Sequence, residues 1–233
     1  MKAKEAGEKL SILEKGWWEN LWYYHKWLII LGGIIVLFVV IAVVQMFSKP
    51  DADVDLMFVG PWYLSSENKD ELEESIRSIA EDYNGDGEKA VDILELTLKS
   101  LTMGEGSDQK TMYYDEYNSA MQRFQTELRA GDSVIYFLHK EFYETARDAG
   151  VLAPLSEVLP AGDLPGEAVD AYGLVLGSLD VYGLPGFSRM PADLILCMRR
   201  SPESDALQLG PKLEAWSGNK QAFAGMVGYR APA

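Results

Sequence analysis

Few residues in this chain have the types and spacing to do chemistry, and the best-formed group is Asp82-Tyr-Asn84-Gly-Asp86-Gly87. Oxygen-bearing side chains at positions one, three and five, followed by a glycine at six, open a calcium loop of the EF-hand type. Such a loop closes on a bidentate Glu at position twelve, where this chain has Ile93, and its usually apolar eighth position is Lys89. Asp92 or Glu95 would complete the shell only along a different loop path. Asn-Gly and Asp-Gly are also strong turn formers. Asp82, Asn84 and Asp86 therefore read either as a weak Ca2+ site or as a tight turn, and the missing ligand favours the turn. No other cofactor is expected.

Catalytic groupings are poor. The histidines are His25 and His139, which leaves few bases for a zinc site or a Ser-His-Asp triad. Ser66-Glu-Asn-Lys69 fits S-x-x-K, a short pattern common by chance, and its serine suits a helix start. Gly186-Phe-Ser188-Arg-Met190 lacks the second glycine of a nucleophile elbow. Cys197 lies in an apolar run, where a thiol acts as a small hydrophobe and has no disulfide partner. Neither common phosphate-binding glycine loop is present. The expectation is a protein that is not an enzyme.

The elements that would position these residues alternate. Val54–Val59 reads as a buried strand ending at Gly60-Pro61. Asn68 with Glu71 suggests a capping box, opening a helix with Leu72, Ile76, Ile79 and Tyr83 on one face. The Asn84–Gly87 break leads to a second strand over Val91–Leu98. After a Gly-rich loop from Met103 to Ser107, Tyr117, Met121, Phe124 and Leu128 mark a helix ended by Gly131. Ser133–Leu138 reads as a third strand and Lys140–Ala149 as a third helix. Strands alternating with helices imply βαβ units and a mainly parallel sheet flanked by helices, with right-handed crossovers. Beyond Pro154 the rhythm loosens into short candidate strands at Leu174–Leu176 and Val181–Leu184. A stronger strand follows at Ala192–Met198, and a terminal helix over Pro211–Met226.

Ahead of all this, Trp27–Phe47 is 21 residues with no charge. At about 1.5 Å per residue it spans roughly 30 Å, the hydrocarbon thickness of a bilayer. The 26-residue flank before it, and the lack of an A-x-A pattern after it, argue for a retained anchor over a cleaved leader. Lys2, Lys4, Lys9, Lys15 and Lys26 precede the run and Asp51, Asp53 and Asp55 follow it, so the N-terminus is expected inside and the C-terminus outside. Residues 10–25 carry an amphipathic, aromatic-rich pattern suited to the headgroup level. The expected organisation is a cytoplasmic juxtamembrane segment over 1–26, a transmembrane helix over 27–47, a linker over 48–52 and an extracytoplasmic α/β domain over 53–233.

The formal net charge is −15, and residues 1–26 hold five Lys and four Glu, which leaves −16 for the remainder. So acidic a domain is a poor partner for nucleic acid or for anionic lipid headgroups.

Residues 130–159 resemble a segment of extracellular solute-binding proteins, the ligand receptors of ABC importers. The likeness rests on Gly131-Asp132 before a strand, then Gly150-Val-Leu152 and Pro154-Leu155, with Val181-Tyr-Gly-Leu-Pro-Gly186 further on. The flank Trp22–Ile30 also resembles membrane anchors of surface proteins from Gram-positive anaerobes. The resemblance implies a periplasmic-binding-protein-like fold, and the chain is short for two lobes, so one lobe is expected. Open parallel sheets bind ligands past the carboxyl ends of their strands. That selects Trp62 and Tyr63 after the first strand, His139 after the third, and Tyr182, Phe187 and Arg189 in the later loop. The expected function is a membrane-anchored ligand-binding domain; the alternative is an envelope scaffold that meets another envelope protein.

Overall fold

Val54–Gly60 (β1) is buried at every position but Asp55, as befits a strand covered on both faces. The computed structural model describes residues 23, 26–28, 30–41, 52–97, 107–160, 165–203 and 213–231. The chain divides into two units, Met1–Pro50 and Asp51–Ala233. In the second, β1 is followed by Ser66–Ile79 (α1), Val91–Thr97 (β2), Ser107–Ala130 (α2), Ile135–Leu138 (β3) and Lys140–Asp148 (α3). Then come a single turn at Leu155–Val158 (α4), Gly173–Val175 (β4), Ile195–Met198 (β5) and Leu213–Gly228 (α5).

The sheet order is β2-β1-β3-β5-β4. β1 lies parallel to both β2 and β3, as the βαβ rhythm predicts. β5, however, runs antiparallel to β3 and to β4, so the sheet is mixed and not mainly parallel. A parallel neighbour would need a long crossover, usually a helix. Between β4 and β5 the chain makes only 3-10 turns, at Leu176–Ser178, Asp180–Gly183 and Phe187–Arg189, and β5 returns beside β4 as a wide hairpin. Those turns also replace the strand expected at Val181–Leu184. Bonds of three-residue span close them, from the amides of Leu179, Leu184 and Met190 to Leu176, Val181 and Phe187.

Two apolar clusters lie on the two faces. Val54, Leu56 and Phe58 point one way with Ile135, Phe137, Leu72, Ile76 and the α5 residues Phe223 and Met226. Met57 and Val59 point the other way with Tyr136, Phe124, Leu128, Phe142 and Cys197. On this second side Tyr117 of α2 donates to Glu141 of α3 at 2.6 Å. Burial, then the hydrogen bond to Glu141, pushes the phenol up to about 12, so it stays a donor through the physiological range.

Polar atoms buried among these clusters fix the register. Asp53 is 3% exposed, and its Oδ1 accepts from the amides of Tyr83 at 2.7 Å and Asn84 at 3.0 Å. Its Oδ2 accepts from Ala90 at 2.9 Å. One carboxylate thus ties the end of the α1–β2 connection to the start of β1. Asn219 of α5, fully buried, takes the Asp55 amide at 2.8 Å and docks the terminal helix on the same strand. Arg199 follows β5, and its guanidinium donates to the Leu128 carbonyl at the end of α2 at 2.6 Å.

α1 begins three residues earlier than the Asn68–Glu71 pattern suggests. Ser65 is the N-cap and accepts from the Asn68 amide, while Glu71 is drawn to Arg189. In the first unit, residues 30–41 are helical and exposed. Among the described residues no helix is long and apolar enough to cross a membrane. Position 29 and positions 42–47 of the expected span lie outside the described residues, as do 1–22, 24 and 25 of the juxtamembrane segment and most of the linker.

Replacing Asp53 with Ala strands three amides at a buried site. We expect a loss of about 3 kcal/mol in urea unfolding, and a smaller loss for Asp53→Asn, which keeps one acceptor oxygen.

Candidate functional site

The carboxyl ends of β1, β2 and β3 lie side by side, because the register places Val59 opposite both Leu96 and Leu138. Past β1 the chain turns at Gly60. A Cβ there would sit 2.9 Å from the Trp62 ring, so glycine lets the indole fold back over the strand end. Trp62 is 37% exposed and Tyr63 72%, the largest aromatic exposures of this unit among the described residues.

His139 is set by its backbone. Its amide donates to the Val59 carbonyl at 2.9 Å, extending the β1–β3 pairing by one residue. Its carbonyl accepts from Phe142 and Tyr143, which makes it the N-cap of α3. The ring so placed meets Trp62 edge to face, with centroids 5.5 Å apart, and leans on Phe142 at 6.4 Å. Its Nδ1 is buried with no hydrogen-bond partner. Buried polar nitrogens are normally paired, and this one stands beside an exposed indole.

Polar groups flank the pair. The Lys69 ammonium of α1 reaches Glu95 of β2 at 2.6 Å and lies 5.9 Å from the centre of the Tyr63 ring. The Glu95 carboxylate also accepts from the Leu64 amide at 2.8 Å, pinning the loop that carries Trp62 and Tyr63. The Thr97 hydroxyl lies 3.4 Å from the Trp62 carbonyl. Lys69, Glu95 and Thr97 did not stand out in the sequence. The signal was there in alternation, since Glu95 and Thr97 are the polar residues that close β2 and so reach the carboxyl edge.

Tyr182, Phe187 and Arg189 do other work. The Tyr182 hydroxyl donates to the Met190 carbonyl at 2.9 Å. Phe187 is fully buried and packs edge to face on Phe137 at 6.0 Å. Arg189 forms a two-pronged pair with Glu71 of α1, at 2.7 and 2.9 Å. Gly186, with φ of 76°, lies so close to α1 that a Cβ would overlap the Leu72 backbone. These contacts staple the 176–190 segment to the helix.

The Asp82–Gly87 loop spends its side chains on itself. Asp82 accepts from the Gly85 and Gly87 amides, Asn84 from Asp86, and Asp86 from Glu88. Among the described residues no group of three His, Cys, Asp or Glu side chains is arranged to hold a metal ion. A cavity of about 240 Å³ lies toward the amino ends of β1 and β2, lined in part by Asp55, Asp92, Glu127 and Asp132. It includes none of the aromatic residues above.

The carboxyl edge presents an exposed phenol ring and the edge of an indole, beside the Lys69–Glu95 ion pair and a buried imidazole nitrogen with no partner. Comparison of the chain with protein-family models, with curated proteins and with solved structures finds no match.

The two halves of the predicted site should separate on substitution. Phe187→Ala should cost about 3–5 kcal/mol in urea unfolding as a core truncation. Arg189→Ala, at a half-exposed ion pair, should leave the unfolding midpoint nearly unchanged.

Proposed function

We propose that residues 53–233 form a non-catalytic ligand-binding domain, one solute-binding-protein-like lobe held outside the cell by the 27–47 segment. Trp62, Tyr63 and His139 carry the ligand contacts. The observation that supports this most is the Trp62–His139 pair at the carboxyl ends of parallel strands, with the indole exposed and the imidazole Nδ1 buried and unpartnered. A planar or CH-rich ligand face would stack on Tyr63 and Trp62. The anchor reading draws its support from the uncharged 27–47 run and from residues 30–41, helical with apolar side chains exposed along their length.

The ligand reading is tested with the full chain in detergent, screened by thermal shift against sugars, amino acids and peptides. At least one class should raise the melting temperature, and Trp62→Ala should weaken that ligand by about tenfold, some 1.4 kcal/mol. A broad screen with no shift would remove the ligand reading and leave the scaffold alternative.

The anchor reading is tested on intact cells. Added protease should digest 53–233 and leave a small membrane-bound stub. A cysteine introduced for labelling belongs at exposed Glu144 and not at Lys69, whose ammonium is tied to Glu95. A domain that stays protected until the membrane is opened would invert the orientation and place the site inside.

A further inference from the structure

The two edges of the sheet are treated differently. At one, β4 is three residues long, and residues 167–169 cover it: the Val169 amide donates to Gly173 at 2.9 Å and the Val175 amide to Glu167 at 2.8 Å. At the other, β2 runs seven residues in unbroken register with β1, and among the described residues no strand pairs with its outer side. The Val54 amide donates to Ala90, which sets the phase of this parallel ladder. Asp92, Leu94 and Leu96 therefore turn their amides and carbonyls to β1, and Val91, Ile93, Glu95 and Thr97 turn theirs outward. Natural edges are usually blunted by a proline, a bulge, a lysine or shortness. β2, with sequence VDILELT, has no proline, bulge or lysine, and its inward-turned charge, Glu95, is held by Lys69 of α1.

We propose that the outer edge of β2 is a docking strand for an extended, basic segment of a partner protein. Backbone bonds to Ile93, Glu95 and Thr97 supply attraction independent of sequence, as in other strand-addition complexes. The charge of the neighbourhood selects the partner. The cavity beside the first half of the strand is lined in part by Asp92, Asp55, Glu127 and Asp132, with Leu94 on the same face, and the Asp55 carboxylate also accepts from the Asn219 side chain at 3.2 Å. That combination takes a Lys or Arg side chain, with its methylene stem along Leu94 and its cationic head among the carboxylates. A second copy of this chain would bring the same carboxylates against themselves, and like charges across an interface oppose pairing.

The amino half of β2 lies at the far end of the strand from the Trp62–His139 pair, while Glu95 and Thr97 touch the loop that carries Trp62, so the Ile93 amide is the readout that lets the two readings fail independently. The test is amide hydrogen exchange of the full chain in detergent, with a short alternating Lys-Val peptide as probe and its Glu-Val counterpart as control. The Lys-Val peptide should slow exchange of the outward β2 amides by about tenfold or more, and the Glu-Val peptide should not. Ile93→Pro removes one outward donor without touching a β1–β2 bond, and should abolish the protection. If that strand fails to form, Asp92→Asn with Asp132→Asn tests the charge alone, and should weaken the Lys-Val peptide several-fold. Trp62→Ala should leave the protection of the Ile93 amide intact. The proposal is overturned by no protection from the Lys-Val peptide, by equal protection from both peptides, or by protection that grows with protein concentration alone.

Discussion

The Asp53 carboxylate is the constraint on which the rest of this fold leans. A buried charge is costly unless donors surround it, and here the donors are backbone amides of Tyr83, Asn84 and Ala90. Meeting that demand holds the α1–β2 connection against the start of β1. The Ala90 carbonyl then receives the amides of Asp53 and Val54, and the β1–β2 register follows residue by residue to Gly60 and Thr97. With the register set, the carboxyl ends of the parallel strands align, and both Trp62 and Glu95 arrive at the same edge.

The sheet is closed by chain that has little regular structure. The 176–190 segment crosses over α1 in 3-10 turns, its Phe187 filling the space beside Phe137 and its Ser75-bound Pro185 carbonyl lying against the helix. This packing accounts for the Gly and Pro in the segment: close approach at Gly186 and burial of the Phe187 ring need kinks, not a strand. It also sends β5 back antiparallel, and the short β4 is then finished by residues 167–169. Among the described residues no strand pairs with the outer side of β2. Two features are thus left exposed among the described residues, the Trp62–Tyr63 end and the outer side of β2.

Much of the architecture is legible in the sequence because burial has a period. The runs VDLMFVG, VDILELT and IYFL are apolar enough to announce strands, and the helical faces with Leu72 and Ile76, or Phe124 and Leu128, mark the layers that cover them. The parallel order of β1, β2 and β3 follows from helices long enough to carry the chain back. The placement of Trp62 and His139 just past strand ends was also readable, since a strand's last residue and the edge it reaches are local facts.

The tertiary structure decided what depends on partners distant in the chain. Glu71 looked like a capping residue until Arg189, 118 positions away, claimed it, and the cap fell to Ser65. Phe187 and Tyr182 looked like loop aromatics free to meet a ligand, but the core beside β3 was missing a ring and Phe187 fills it. Glu95 became part of the candidate site only because Lys69 of α1 sits over β2. The mixed sheet belongs here too, since the direction of β5 is set by the 3-10 turns that bring it back beside β4 without a helical crossover. Local pattern fixes an element's type because the forces involved act within a few residues. Which side chains remain free for a ligand is settled last, when the whole set of long-range pairings has been filled.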